Sequence, residues 1–212
     1  MNIEIHTHQF VLHPSGGIYW REKQSWLLAD VHLGKVAHFR KNGIAVPRNA
    51  EGSFYQKMEI LLPLFPVKRI IFLGDLFHSF QNNEWYLFKA WVKQQPFEMI
   101  LIVGNHDIIP NWKFESLGIL VQKHWKEGPF FFAHFPDQKT KQFVFCGHVH
   151  PGVTLTGVGK QQMKLPCFYK SSNQLILPAF GAFTGVHIVK PKAEDRIYVT
   201  TAKEVLEIKE KY

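Results

Sequence analysis

The chain is poor in the features that mark secreted, membrane-spanning and modular proteins. Only two cysteines, Cys146 and Cys167, occur in 212 residues. Two thiols make no disulfide framework, and apolar neighbours on both sides predict buried, inert side chains. No uninterrupted apolar run approaches the roughly 18 residues that a membrane helix needs. The opening stretch, Met1 to Leu12, carries His6 and His8 and lacks both a basic leader and a long apolar core, so no signal peptide is expected. A Ser/Gly/Pro-rich linker, an internal repeat and a low-complexity tract are missing as well. These absences lead us to expect a cytoplasmic protein with no membrane association, and a single domain over residues 1–212.

What the chain does have is apolar content and positive charge. Hydrophobic residues make up 46% of it, enough for one substantial core. Twenty-five Lys and Arg against 17 Asp and Glu leave a formal charge of +8. Such basicity concentrates polyanions near a protein and speeds their encounter with it. Many basic proteins bind no nucleic acid, so charge alone decides nothing.

Five short apolar runs each lead straight into polar residues. Ser25 to Ala29 precedes Asp30-Val31-His32, and Arg69 to Leu73 precedes Gly74-Asp75-Leu76-Phe77-His78. Met99 to Val103 precedes Gly104-Asn105-His106-Asp107, Pro129 to Ala133 precedes His134, and Phe143 to Cys146 precedes Gly147-His148-Val149-His150. Near-continuous β-branched and aromatic runs of this length predict strands buried on both faces. Between them, Phe54, Met58, Leu61, Leu62 and Phe65 recur at helical spacing up to Pro66, and Trp85, Phe88, Trp91 and Val92 do so before Pro96. Alternating strands and helices imply a layered α/β domain, whose ligand site lies beyond the carboxyl ends of its strands. After His150, short runs at Met163–Tyr169, Gln174–Leu177, Val186–Val189, Ile197–Val199 and Val205–Ile208 predict mostly antiparallel strands, and Ile3 to Trp20 looks similar. The expected architecture is a two-sheet β-sandwich flanked by helices.

Imidazole, carboxylate and amide oxygen together suit borderline first-row metals: Mn²⁺, Fe²⁺ or Zn²⁺. Asp30 and His32 stand two apart on an extended segment, so both face one side and can grip one ion, and His148 and His150 repeat that spacing. Asp75 has two oxygens with which to bridge two cations, and Asn105 adds a neutral oxygen. Two divalent ions outweigh these carboxylates and a bridging hydroxide, and a net positive pocket favours an anionic phosphate. Singly, a Gly-Asp after a strand is usually a turn, and a lone His such as His134 is usually a satisfied core or surface residue. Five clusters at strand ends, in this order, are another matter.

In that order, D-x-H, G-D-x-x-H, G-N-H-D, a lone His and G-H-x-H resemble the calcineurin-like metallophosphoesterase superfamily. The resemblance implies one metal held by Asp30, His32, Asp75 and His150, and another by Asp75, Asn105, His134 and His148. It implies His106 as the uncoordinated residue that protonates the leaving oxygen or stabilises charge on phosphorus, with His78 orienting His106 or touching phosphate. Ala29-Asp30-Val31-His32-Leu33-Gly34 with Gly74-Asp75-Leu76-Phe77-His78 is similar to SbcD-type repair nucleases. Where phosphoprotein phosphatases usually carry Asp, this chain has His78, so that activity is not expected. Phe39 to Pro47 and Leu177 to Gly185 resemble the PdeM family of ligase-associated DNA damage response endonucleases, with Val186 standing where a second Gly is usual. That likeness implies a two-metal nuclease cutting DNA through a bridging hydroxide in repair, and of the metals the ligand set tolerates Mn²⁺ is expected foremost. It also implies association with a DNA ligase and a DEXH-box helicase.

Lys35, His38, Arg40, Lys41 and Arg48 follow the first ligand motif directly, so Lys35, Arg40 and Lys41 are candidates to grip substrate phosphates. Lys139 and Lys141 are candidates for an opposite wall, and Phe39 and Phe135 for base stacking, although burial is the commoner fate of such rings. Two other functions fit parts of the pattern. One is hydrolysis of small nucleotides or other small phosphate esters. The other is a non-catalytic scaffold, which the complete ligand set and His106 argue against.

Overall fold

Side-chain alternation along the parallel strands lets each strand feed two separate cores. The computed structural model describes residues 1–36, 52–78, 83–136, 139–157, 159–182 and 184–208. Its first sheet runs in the order β1 (Asn2–Ile5), β2 (His8–Leu12), β3 (Ile18–Trp20), β4 (Ser25–Leu28), β5 (Arg69–Leu73), β6 (Glu98–Ile102) and β7 (Leu120–Gln122). Pairing is antiparallel from β1 to β4 and parallel from β4 to β7. Helices α1 (Ser53–Leu61), α2 (Asn83–Lys93) and the short α3 (Asn111–Glu115) lie in the crossovers between the parallel strands. Helix α1 stops short of the expected Pro66. Pro63 has no N–H to continue the ladder, and residues Leu62–Leu64 tighten into a 3-10 turn.

The period of two decides which face goes where. Trp26, Leu28, Ile70 and Phe72 turn toward the helices and pack with Phe54, Met58, Leu61, Trp85 and Phe88. Their neighbours Leu27, Ile71 and Leu73 turn the other way and meet Phe130, Phe145, Phe168 and Tyr198 of the second sheet. One core therefore lies under the helices and the other between the sheets.

The second sheet contains β8 (Trp125–Glu127), β9 (Phe130–Phe132), β10 (Phe143–Cys146), β11 (Pro151–Thr156), β12 (Gln162–Lys170), β13 (Gln174–Ile176), β14 (His187–Ile188), β15 (Arg196–Thr200) and β16 (Val205–Ile208). Its order is β14-β11-β12-β13-β10-β9-β8, with β15 joined to β12 and β16. Strands β9 and β10 thus open this sheet rather than extending the first, because their phenylalanines supply its half of the inter-sheet core. The opening strands β1 to β3 widen the first sheet, and β13 and β14 run parallel to β10 and β11 within the otherwise antiparallel carboxyl-terminal part. Cys146 and Cys167 are free and buried; burial pushes the Cys167 thiol up to about 12 and raises Cys146 likewise. Among the described residues no helix is long and apolar enough to cross a membrane.

Candidate metal centre

Five turns, from β4, β5 and β6 of one sheet and β9 and β10 of the other, carry the expected ligands to a single place. They do so at a conformational cost. Nine non-glycine residues have positive φ among the described ones, and five of them are Asp30, His32, Asp75, His148 and His150. Each such residue costs on the order of 1–2 kcal/mol. The turns are cross-braced: Asp30 N–H donates to Gly74 O at 3.2 Å, His32 N–H to Asp75 O at 2.9 Å, and Gly147 N–H to His134 O at 3.1 Å.

Two groups of ligand atoms form. In the first, Asp30 Oδ1 lies 3.4 Å from His150 Nε2, which is 3.4 Å from His32 Nε2. In the second, His134 Nε2 lies 3.0 Å from Asn105 Oδ1 and 3.2 Å from His148 Nδ1. Asp75 belongs to both: Oδ2 faces His32 Nε2 at 3.9 Å and Oδ1 faces His134 Nε2 at 3.5 Å. Asp30 and Asp75 are buried, as are His32 and His134, whereas Asn105 and His148 reach the surface.

The hydrogen bonds reveal which ring nitrogens are free to bind an ion. His134 Nδ1 lies 2.9 Å from Leu73 O and His150 Nδ1 lies 3.3 Å from Gly185 O. A carbonyl oxygen only accepts, so both rings hold their proton on Nδ1 and turn an Nε2 lone pair inward. Burial, then Lys35 and the neighbouring imidazoles, push His32 down to about 2, so it too is a neutral ligand. Burial and His134 likewise lower His148. Asp30 Oδ1 is fully buried and accepts no hydrogen bond. The Nε2 lone pairs of His134 and His150, turned toward buried carboxylate oxygens, fit a cation, and the mixed N/O set fits a borderline divalent ion.

The surroundings are shaped to this cluster. A Cβ added at Gly104 would lie 2.2 Å from Asp75 Oδ1, and one at Gly147 would lie 2.5 Å from Asp30 Oδ2, so no larger residue lets these turns approach the two carboxylates. Asp107 accepts N–H bonds from Asp75, Leu76 and Gly104 at 2.9 Å and from Phe77 at 3.2 Å. It ties the Asp75 turn to the Asn105 turn, a role the G-N-H-D pattern contained but the sequence reading did not assign. Burial, with the Asp75 charge, raises its carboxyl above the ordinary value against the pull of the Gly104, Phe77 and Asp75 N–H donors. The segment after β13 was equally unassigned. Phe180 N–H donates to Ala29 O at 2.8 Å and Gly181 N–H to Asp30 O at 3.1 Å, backing the first ligand turn.

His106 and His78 sit beside the cluster without joining either group. His106 is exposed, its N–H donates to Asp75 Oδ1 at 2.8 Å, and its ring centroid is 5.5 Å from that of His32 and 5.2 Å from that of His78. Lys35 is half-buried close to the cluster: burial lowers it while Asp30 and Asp75 raise it. With Tyr55, Glu84 and Phe180 it lines a cavity of about 30 Å³, room for a water. His38, Phe39, Arg40, Lys41 and Arg48 lie outside the described residues. Lys139 and Lys141 are exposed. One expectation is corrected: Phe135 is not buried but 49% exposed, because His134 takes the inward position and the next side chain must turn out.

The whole arrangement has a close structural counterpart. The chain is similar to nuclease MPE of Pseudomonas putida, with a TM-score of 0.80 and 28% identity over 98% of this chain and 99% of that one. It also matches the Aquifex aeolicus protein of unknown function AQ665, at a TM-score of 0.42 and 18% identity over 59% of this chain and 78% of that one. No curated protein sequence matches. Two mixed sheets flanked by a few helices, with two candidate metal-ligand groups, define the class: a phosphate ester hydrolase of the metallophosphoesterase fold. The family model for calcineurin-like phosphoesterases matches residues 24–178, and the chain belongs to that family.

Proposed function

We propose that the protein is a metal-dependent nuclease that hydrolyses DNA phosphodiester bonds with two ions sharing Asp75. The observation that carries this reading is the split of the Asp75 carboxylate, one oxygen toward each ligand group. When bound, two divalent ions supply an acidified water and neutralise phosphate charge. Asp30, His32, Asp75 and His150 would hold one; Asp75, Asn105, His134 and His148 the other. The ligand set tolerates Mn²⁺, Fe²⁺ and Zn²⁺, and of these we take Mn²⁺ as foremost.

The chain's own residues do the rest. His106 stands at the open side of the cluster, where its imidazole protonates the leaving oxygen. His78, 5.2 Å from it and edge-on to His32 at 5.4 Å, fixes the plane of the His106 ring. Lys35, with Arg40 and Lys41, holds substrate phosphates. Exposure of Asn105, His106 and His148 opens the cluster to the surface, which suits a polymer crossing it. Likeness to a nuclease along nearly the whole chain supports a nucleic-acid substrate. A place in cytoplasmic DNA repair, beside a DNA ligase and a DEXH-box helicase, rests on the PdeM resemblance.

Single-turnover cleavage of single-stranded and gapped DNA by the Mn²⁺-loaded protein tests the proposal. We expect cleavage that EDTA stops and that falls steeply with salt. Hydrolysis of bis-p-nitrophenyl phosphate that DNA neither replaces nor inhibits would contradict it, and full cleavage by His106→Ala would contradict the role of that ring.

A further inference from the structure

Among the described residues Phe135 is the one exposed phenylalanine, and it is exposed at the metal centre. Its ring centroid lies 4.4 Å from that of His148 and 4.7 Å from that of His134, inclined at 58° and 76°. The phenyl ring thus meets the two imidazoles of the second ligand group edge-on and tilted while 49% of the residue meets water. An isolated exposed apolar side chain is ordinary on a protein surface. A bare aromatic ring seated on two candidate ligands, one of which lies 3.0 Å from Asn105 Oδ1, is placed at the rim of the cluster itself. Pro136 follows and biases the Phe135 backbone toward extended conformations, while the two imidazoles support the ring.

We propose that Phe135 is the stacking platform for the nucleobase flanking the scissile phosphate, on the side of the His134–His148 group. The inference rests on the nuclease reading above and adds to it a residue that recognises the base rather than the phosphate. Every base offers a π-face, so the platform tightens binding without selecting sequence. A purely structural role, an apolar shield over His148, would need bulk but no ring.

The two roles separate with an oligonucleotide that carries one cleavable phosphodiester among methylphosphonate linkages, its flanking nucleoside intact or abasic. Metal content is measured on every variant. For the Mn²⁺-loaded wild type, removing the base on one side raises KM by about five- to 150-fold, the scale of one base–aromatic stack. Phe135→Ala raises KM similarly on the intact strand, becomes indifferent to the abasic change, and keeps the wild-type metal content. Phe135→Trp restores the response, and Phe135→Leu, which keeps the bulk, does not. Equal sensitivity of wild type and Phe135→Ala to the missing base would overturn the proposal, as would wild-type behaviour of Phe135→Leu. Failure of the wild type to cut any DNA would instead bring down the nuclease reading itself.

Discussion

The parallel strands of this protein are built on opposite terms at their two ends. At the amino ends, charge is matched to charge. Glu127 accepts from Arg69 Nη2 at 2.7 Å and from Trp125 Nε1 at 3.3 Å, and pairs with Lys23 Nζ at 2.9 Å, while Arg69 Nε donates to Ser25 Oγ at 3.3 Å. Burial raises the Glu127 carboxyl, but Lys23, Arg69 and Trp125 outweigh it and leave it below its usual value. At the carboxyl ends, two buried carboxylates face imidazole nitrogens, and five ligand residues occupy left-handed backbone. The first end is stable as it stands. The second stores strain and buried charge that a cation would offset, and it is at the second that the candidate ligand groups gather.

The sharpest way to break this contrast is Asp75→Asn, which keeps shape and removes charge. Cleavage should fall by about 10³-fold in kcat/KM, on the order of losing the positive charge that the two ions would set against the reacting phosphate. The metal-free protein should nevertheless melt at or above the wild-type temperature, because an unneeded buried charge is gone. A lower melting temperature would mean that the carboxyl ends are no less self-sufficient than the amino ends.

Asp107→Ala comes next. It leaves four backbone N–H groups without their acceptor and frees the Asp75 turn from the Asn105 turn. Metal affinity, followed by calorimetric titration, should drop about 10- to 100-fold. Unaltered affinity would show that the turns hold their shape without the clamp.

At the opposite end, Arg69→Ala should cost about 1–2 kcal/mol in urea unfolding, since its pair with Glu127 is only partly exposed, and should leave cleavage at the wild-type rate. Loss of cleavage would mean that the two ends are coupled.

A pH-dependent effect, silent below the window it acts in, concerns Lys57 of α1, whose ammonium donates to Phe180 O at 2.5 Å beneath the segment that backs Asp30. Burial lowers it from 10.5 to about 8. Between those values the unfolded chain holds a proton that the folded chain has lost, so stability rises with pH across that window. Wild type should therefore gain stability relative to Lys57→Met between pH 8 and 10.5, in unfolding measured at both ends of the range. A constant difference would place this amine in water.

Much of this plan was legible in the sequence, for local reasons. Arg69–Leu73, Phe143–Cys146 and Val205–Ile208 are strands with the expected bounds, because runs of β-branched and aromatic residues ended by polar ones have few other uses. The side chains that gather in the two candidate ligand groups stand at the same punctuation, directly after those runs. What escaped depends on contacts between distant segments. Nothing in Phe130–Phe132 tells which sheet the strand joins; that is settled by pairing with Phe143–Phe145 and by Phe10 and Trp20 across the inter-sheet core. Asp107 looked like one more polar residue in a motif until four N–H groups from two turns met it. Gly104 and Gly147 read as turn formers, whereas the space beside Asp75 and Asp30 is what demands them. Phe135 was expected inside on composition, and its exposure follows from the inward turn of a single neighbour.

Titration of metal-free protein with Mn²⁺, followed by electron paramagnetic resonance, reads the shared carboxylate most directly. Two ions per chain with a spin-coupled spectrum, the coupling lost in Asp75→Asn, is the result expected when one carboxylate joins them. A single ion, or two magnetically isolated ones, would contradict it.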